Sequence, residues 1–153
     1  MKYLKILLLL LTSLSCKYSF ACTCIHTADY SVNNEFKETD LVFSGALIHI
    51  DTVEVIKDSL YNYKRNEIWY TFKITENFKG KKKNKTIRIR SGITDADDCK
   101  YVFEMNESYV VYANHPLKRD FKKDKSILET TECTNTGEAT EEKLLEVNNL
   151  VKG

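Results

Sequence analysis

The chain is poor in the residues that break folds: one proline (Pro116) and five glycines occur among 153 residues. No linker or low-complexity stretch therefore divides it. No internal repeat is present, which excludes the solenoid architectures. Neither sign of charge dominates, with 23 basic against 22 acidic residues, so the whole molecule has no net pull toward nucleic acid. Long apolar runs are also missing, since the one at Ile6–Leu11, extended by Leu14, falls short of the ~20 residues that a membrane span needs. His26, His49 and His115 do not form a His-Glu-x-x-His pattern, so the chain is not expected to be a zinc protease itself.

What the first residues do contain reads as a secretion signal. Lys2 and Lys5 precede the apolar run, and Ser19 and Ala21 are small residues at the third and first positions before Cys22. Residues 1–21 are thus expected to be a signal peptide, and 22–153 a single secreted domain, periplasmic or extracellular, beginning at Cys22. The alternative is lipoprotein processing before Cys16, although Ser13 stands where such signals usually carry leucine.

Removing residues 1–21 leaves four cysteines, Cys22, Cys24, Cys99 and Cys133. An even number in a secreted domain implies two disulfides, for which three pairings exist. Cys22 and Cys24 are too close to pair comfortably with each other. The staples then join the amino terminus to Cys99 and Cys133, in either order, and no cysteine is left over as a nucleophile. Closing so long a loop contributes roughly 4–5 kcal/mol in the chain-entropy model.

Most of the remainder alternates with the period of strands. "LVFSGALIHID" places Val42, Ser44, Ala46, Ile48 and Ile50 on one face, with Gly45 admitting a bulge or a close approach. "IWYTFKITENF" sets Ile68, Tyr70, Phe72 and Ile74 against Trp69, Thr71, Lys73 and Thr75, and "TIRIRS" sets Ile87 and Ile89 against a solvent face of Arg88 and Arg90. "SYVVYAN" is apolar on both faces, as a central strand would be, and "SILETTEC" is a short last strand. With one longer loop near "KDSLYNYKRNE", these predict a mainly β fold, a small antiparallel barrel. Two helices are expected to flank it: a short one in "ADYSVNNEFKET", and one in "ATEEKLLEVNNLVKG" capped by Thr140, with Leu144, Leu145, Val147 and Val151 as its apolar stripe.

The order of these pieces carries a resemblance. Cys-Thr-Cys at the signal-cleavage site, a short helix, "TDLVFSGAL", "YTFKITENFKG", "DDC" followed by Phe103, "YVVYA" and "ETTECTNTG" with a terminal helix together resemble the inhibitory domain of the tissue inhibitors of metalloproteinases and their bacterial, netrin-like relatives. The resemblance covers essentially all of 22–153. It implies an OB-fold barrel, disulfides Cys22–Cys99 and Cys24–Cys133, and a monomer without cofactor or enzymatic activity whose partner is a zinc metalloprotease. In that family the free amine and carbonyl of the first cysteine chelate the protease's zinc. Cys22 would then be the zinc ligand, Thr23 would enter the specificity pocket, and Cys24, Ile25 and His26 would continue the contact ridge. Ala96, Asp97 and Asp98 correspond to the second contact loop, here unusually acidic. A further cysteine pair and the second domain of the animal inhibitors are lacking, as is common in the bacterial relatives.

Other chemistry is less well supplied. Cys22, Cys24 and His26 have no second Cys or His pair to complete a metal site. Asp95, Asp97 and Asp98 lack the spacing and glycine of a calcium loop and suit a solvated turn. "KGKKKNK", Lys79 to Lys85, has no interleaved aromatics, so it is expected to be a solvated hairpin tip and not a nucleic-acid site. The competing functional reading is a secreted or lipid-anchored OB-fold interaction module without inhibitory activity.

Overall fold

The structure is a computed structural model and describes residues 24, 31–58, 63–81, 84–91, 100–117 and 123–153. Helix α1, Val32–Glu38, begins where the Ser31 side chain accepts the Asn34 N–H at 3.2 Å. It stops at Thr39, whose N–H and hydroxyl both donate to the Glu35 carbonyl, at 2.9 and 2.8 Å. Six strands follow: β1 Leu41–Asp58, β2 Tyr63–Lys79, β3 Thr86–Ser91, β4 Ser108–Ala113, β5 Glu129–Thr130 and β6 Gly137–Glu138. Helix α2, Glu141–Lys152, closes the order, with Thr140 accepting the Lys143 N–H at 3.2 Å and Gly153 as its C-cap.

The strands form one strongly curled sheet, a half-barrel in the order β5-β3-β2-β1-β4-β6. All neighbours are antiparallel except β3 and β5, which run parallel with Arg90 opposite Glu129 and Ser91 opposite Thr130. A bridge between Asn114, just past β4, and Glu129 brings the sheet back on itself, with both reciprocal N–H···O bonds at 2.9 Å. A three-strand meander, a parallel β3–β5 pair and a return to β1 through β4 are the connectivity of an OB-fold-like barrel. The pairing skips Ile48 on β1 between Leu47 and His49, and skips Thr75 on β2 opposite Ser44 and Gly45, so each strand carries a bulge. Gly45 is required there, because a Cβ would lie 2.7 Å from the Lys73 carbonyl oxygen.

The bulge at Ile48 breaks the single face expected for Val42, Ser44, Ala46, Ile48 and Ile50, because Ala46 stands opposite exposed Lys73 whereas Ile50 stands opposite buried Tyr70. Leu41, Phe43 and Leu47 point into the barrel, whereas Ile48 and Ile50 are exposed and Val42 faces the helices. On β2 the expected face holds: Tyr70 and Phe72 are buried, with Ile68 and Ile74 packed at the margins. On β3 Ile87 and Ile89 are interior, but Arg90 does not face solvent. Its guanidinium donates to Glu67 at 2.8 Å and to Glu129 at 3.1 Å beside the Trp69 ring, so two carboxylates offset the loss of water. The loop expected near "KDSLYNYKRNE" is largely strand, since β1 and β2 continue as a two-stranded ribbon to Asp58 and Tyr63. The stripe of α2 runs through Leu144, Val147 and Leu150, which leaves Leu145 and Val151 exposed. The 3.6-residue period carries Leu145 off the buried face, whereas Val151 is on that face but in the last turn, at the end of the helix.

Candidate functional site

The residues expected to contact a protease are mostly outside the described residues: Cys22, Thr23, Ile25, His26, Ala96, Asp97 and Asp98, as is Cys99, the expected disulfide partner of Cys22. Cys24 is described, and it forms a disulfide with Cys133 across a Cα–Cα distance of 5.3 Å. Cys133 lies in the turn between β5 and β6, and that turn is built from threonines. Thr130, Thr134 and Thr136 bond one another through their hydroxyls at 2.9 Å, and Thr136 also accepts the Tyr112 N–H at 2.9 Å. Thr131 accepts the Cys133 N–H on its hydroxyl at 3.2 Å, and its carbonyl accepts the Thr134 hydroxyl at 2.8 Å. A short β-branched side chain that bonds its own backbone holds a turn without long, entropically costly groups.

Helix α1 is tied to the same turn. Glu35 accepts the Asn135 N–H at 2.7 Å, the Asn135 side-chain oxygen accepts from Lys143 of α2, and Lys143 pairs with Glu146 at 3.0 Å. The segment carrying Cys24 is thereby bounded by the disulfide at one end and by a bonded helix at the other.

The second expected contact loop lies outside the described residues. On either side of residues 92–99, the Ser91 hydroxyl donates to the Tyr101 carbonyl at 2.6 Å. Ser91 stands opposite Thr130 in the β3–β5 pair, three residues before Cys133. Behind Tyr101, Phe103 enters the barrel and packs on Tyr70, Phe72 and Tyr109 at ring distances of 4.8, 5.0 and 4.9 Å. Burial raises the Tyr101 phenol above its ordinary pKa of 10.0, and the charges of Tyr109, Glu138 and Glu132 add to the rise. Sequence reasoning missed the threonine cluster and the Glu35–Asn135–Lys143 chain. The spacing of Thr130, Thr134 and Thr136 around Cys133 was the available signal.

Among the described residues no cluster of three or more His, Cys, Asp or Glu is arranged for a metal ion. His49 bonds Asp51 at 2.8 Å and His115 Nδ1 is 2.6 Å from the Ile127 carbonyl. No described helix is long and apolar enough to cross a membrane. No known family model matches the chain, and no curated protein matches it in sequence.

Proposed function

We propose that the chain is a secreted, metalloprotease-inhibitor-like domain that blocks a zinc protease through the free amine and carbonyl of Cys22. One observation carries the reading. The Cys24–Cys133 disulfide and the Ser91–Tyr101 hydrogen bond stand at neighbouring strand ends. Two points far apart in sequence are thus held close together, as a composite contact ridge requires. A catalytic zinc keeps one coordination position open for water, and a bidentate ligand there removes the nucleophile. An α-amine with an ordinary pKa of ~7.7–8.0 loses its proton to a metal at small cost.

The second reading is an interaction module that works through another surface. It draws on the ribbon of β1 and β2 beyond β4, where Ile48, Ile50 and Val53 are exposed. Inhibition constants against a panel of zinc metalloproteases separate the two. A protein whose first residue is Cys22 is expected to inhibit at least one protease. An alanine placed ahead of Cys22 is expected to abolish that inhibition while the circular dichroism spectrum is unchanged. Inhibition of none, or equal inhibition by the extended form, replaces the amino-terminal mechanism with the module.

A further inference from the structure

Two Asn-x-Ser/Thr sequences stand where strands begin: Asn84-Lys85-Thr86 leads into β3, and Asn106-Glu107-Ser108 leads into β4. Their hydroxyl residues belong to one row across the sheet, because Ser108 pairs with Ala46, Ala46 with Lys73, and Lys73 with Thr86. Ser108, Lys73 and Thr86 are exposed, whereas the residues next to them, Tyr109, Phe72 and Ile87, are buried. The row therefore lies on the outer face of the half-barrel. A triplet of this kind on the surface of a secreted chain is the acceptor sequence for an N-linked glycan.

The sequence around Asn106 is held ready in a turn. The Glu107 N–H donates to the Glu104 carbonyl at 3.4 Å, and Asn106 has φ 69°, a left-handed backbone that favours glycine or asparagine. Three further bonds fix the turn to the barrel. The Asn106 N–H donates to the Leu47 carbonyl at 3.2 Å, the Leu47 N–H to the Glu107 carbonyl at 2.9 Å, and the Glu104 N–H to the Tyr109 hydroxyl at 2.9 Å. The turn contributes only backbone groups to these bonds. Among the described residues nothing bonds the Asn106 amide or the Ser108 hydroxyl, and Glu104 to Ser108 are all exposed. The left-handed backbone accounts for an asparagine at 106. It does not account for a free hydroxyl at 108.

Glu104 separates the two sequences. Oligosaccharyl transferases of bacterial envelopes read an acidic residue two positions before the asparagine, and exposed Glu104 stands there for Asn106, whereas Lys82 stands there for Asn84. Asn106 thus meets the stricter requirement, and Asn84 does not.

We propose that Asn106, and not Asn84, is the attachment site of an N-linked oligosaccharide. In the transfer, Asn106 Nδ2 bonds to C1 of a sugar carried on a lipid pyrophosphate. The C1–O bond to the pyrophosphate breaks, the lipid pyrophosphate leaves with the bonding pair, and one amide proton passes to the transferase. The glycan then stands beside Met105, which is 44% exposed, and screens that apolar side chain from other molecules. The proposal rests on the secretion reading, since such transferases act outside the cytosol, and is independent of the inhibitory mechanism at Cys22.

The full chain, expressed in a Gram-negative host that carries a bacterial oligosaccharyl transferase and its lipid-linked oligosaccharide, tests it by cell fractionation, intact mass and glycopeptide mapping. The exported chain is expected to gain the mass of one oligosaccharide, mapped to Asn106, with Asn84 unmodified. Ser108→Ala and Glu104→Gln are each expected to abolish the gain, and Ser108→Thr to keep it. Both positions are exposed, and near-ultraviolet circular dichroism checks that every variant is folded. A chain retained in the cytosol overturns the secretion reading and the proposal with it, whereas an exported chain without a glycan overturns the proposal alone. The proposal is also overturned if the glycan persists in Ser108→Ala, or if Asn84 carries as much of it as Asn106.

Discussion

The molecule has two apolar clusters of different construction. Inside the barrel, Phe43, Phe72, Phe103, Tyr70 and Tyr109 meet edge to face, and the Tyr109 hydroxyl accepts the Glu104 N–H at 2.9 Å. Outside it, Phe36, Val42, Val110, Tyr112 and Val147 fill the space under the two helices, with one ring pair, Phe36 and Tyr112, at 6.4 Å. Polar groups border this outer cluster, and two of them, the Tyr112 hydroxyl and the Asn135 amide nitrogen, are buried without a hydrogen bond. Interlocked rings resist rearrangement because each has one favourable tilt toward its neighbours. The inner cluster therefore fixes the shape. The outer one attaches the helices and the Cys24 segment to that shape, and it contains the less complete packing.

Truncating one residue from each cluster tests this division. Phe72→Ala removes a fully buried ring with contacts to Phe43, Phe103 and Tyr109, and is expected to cost about 3–5 kcal/mol in urea unfolding with collapse of the near-ultraviolet signal. Val147→Ala, also fully buried, removes two methyl groups and is expected to cost about 2 kcal/mol with that signal retained. Equal losses from the two would break the distinction.

The disulfide gives the next largest effect. Cys24→Ser with Cys133→Ser opens a link between residues 109 apart, and the expected loss is about 2–5 kcal/mol, mostly through a freer unfolded chain. Because Cys133 belongs to the threonine turn and not to the ring cluster, the barrel's aromatic spectrum is expected to remain. Loss of the aromatic spectrum would instead make the turn part of the barrel's support.

The inner cluster was the more legible of the two in the sequence. Alternation revealed Tyr70 and Phe72 on β2 and Ile87 and Ile89 on β3, because a regular strand keeps its faces. It failed on β1, where the register shift past Leu47 exchanges the faces midway, and Ile48 and Ile50 are exposed. Arg90 defeated it for another reason: burial of a cation depends on partners from β2 and β5 that no local window contains. Thr140 was readable as a cap and Cys24–Cys133 was among the pairings expected, whereas the Ser31 cap was not read from the sequence. That Ser91 and Thr130 are neighbours, which brings the Ser91–Tyr101 bond close to the Cys133 turn, depends on the parallel β3–β5 pair, a contact between distant segments.

Tyr112→Phe should give the smallest change at neutral pH and a distinct one in alkali. Its hydroxyl lies in the outer cluster near the Asn135 amide but forms no hydrogen bond of proper geometry. Deleting a buried, unpartnered hydroxyl removes a desolvation cost without breaking a bond, so stability near neutrality is expected to stay within about 1 kcal/mol or to rise. Burial pushes the Tyr112 phenol up to about 12 from 10.0, with the carboxylates of Glu146 and Glu35 adding to the rise and Asn135 opposing it. The folded state therefore holds this proton more tightly than the unfolded chain does. That contribution is fully present below pH 10.0 and is lost as the pH rises toward about 12. Urea midpoints measured across that interval are expected to fall more steeply for the unaltered chain than for Tyr112→Phe. Tyr70 and Tyr101, also raised chiefly by burial, leave a residual slope in both. Parallel curves would mean that the Tyr112 hydroxyl is satisfied after all, and the outer cluster would then be as completely bonded as the inner one.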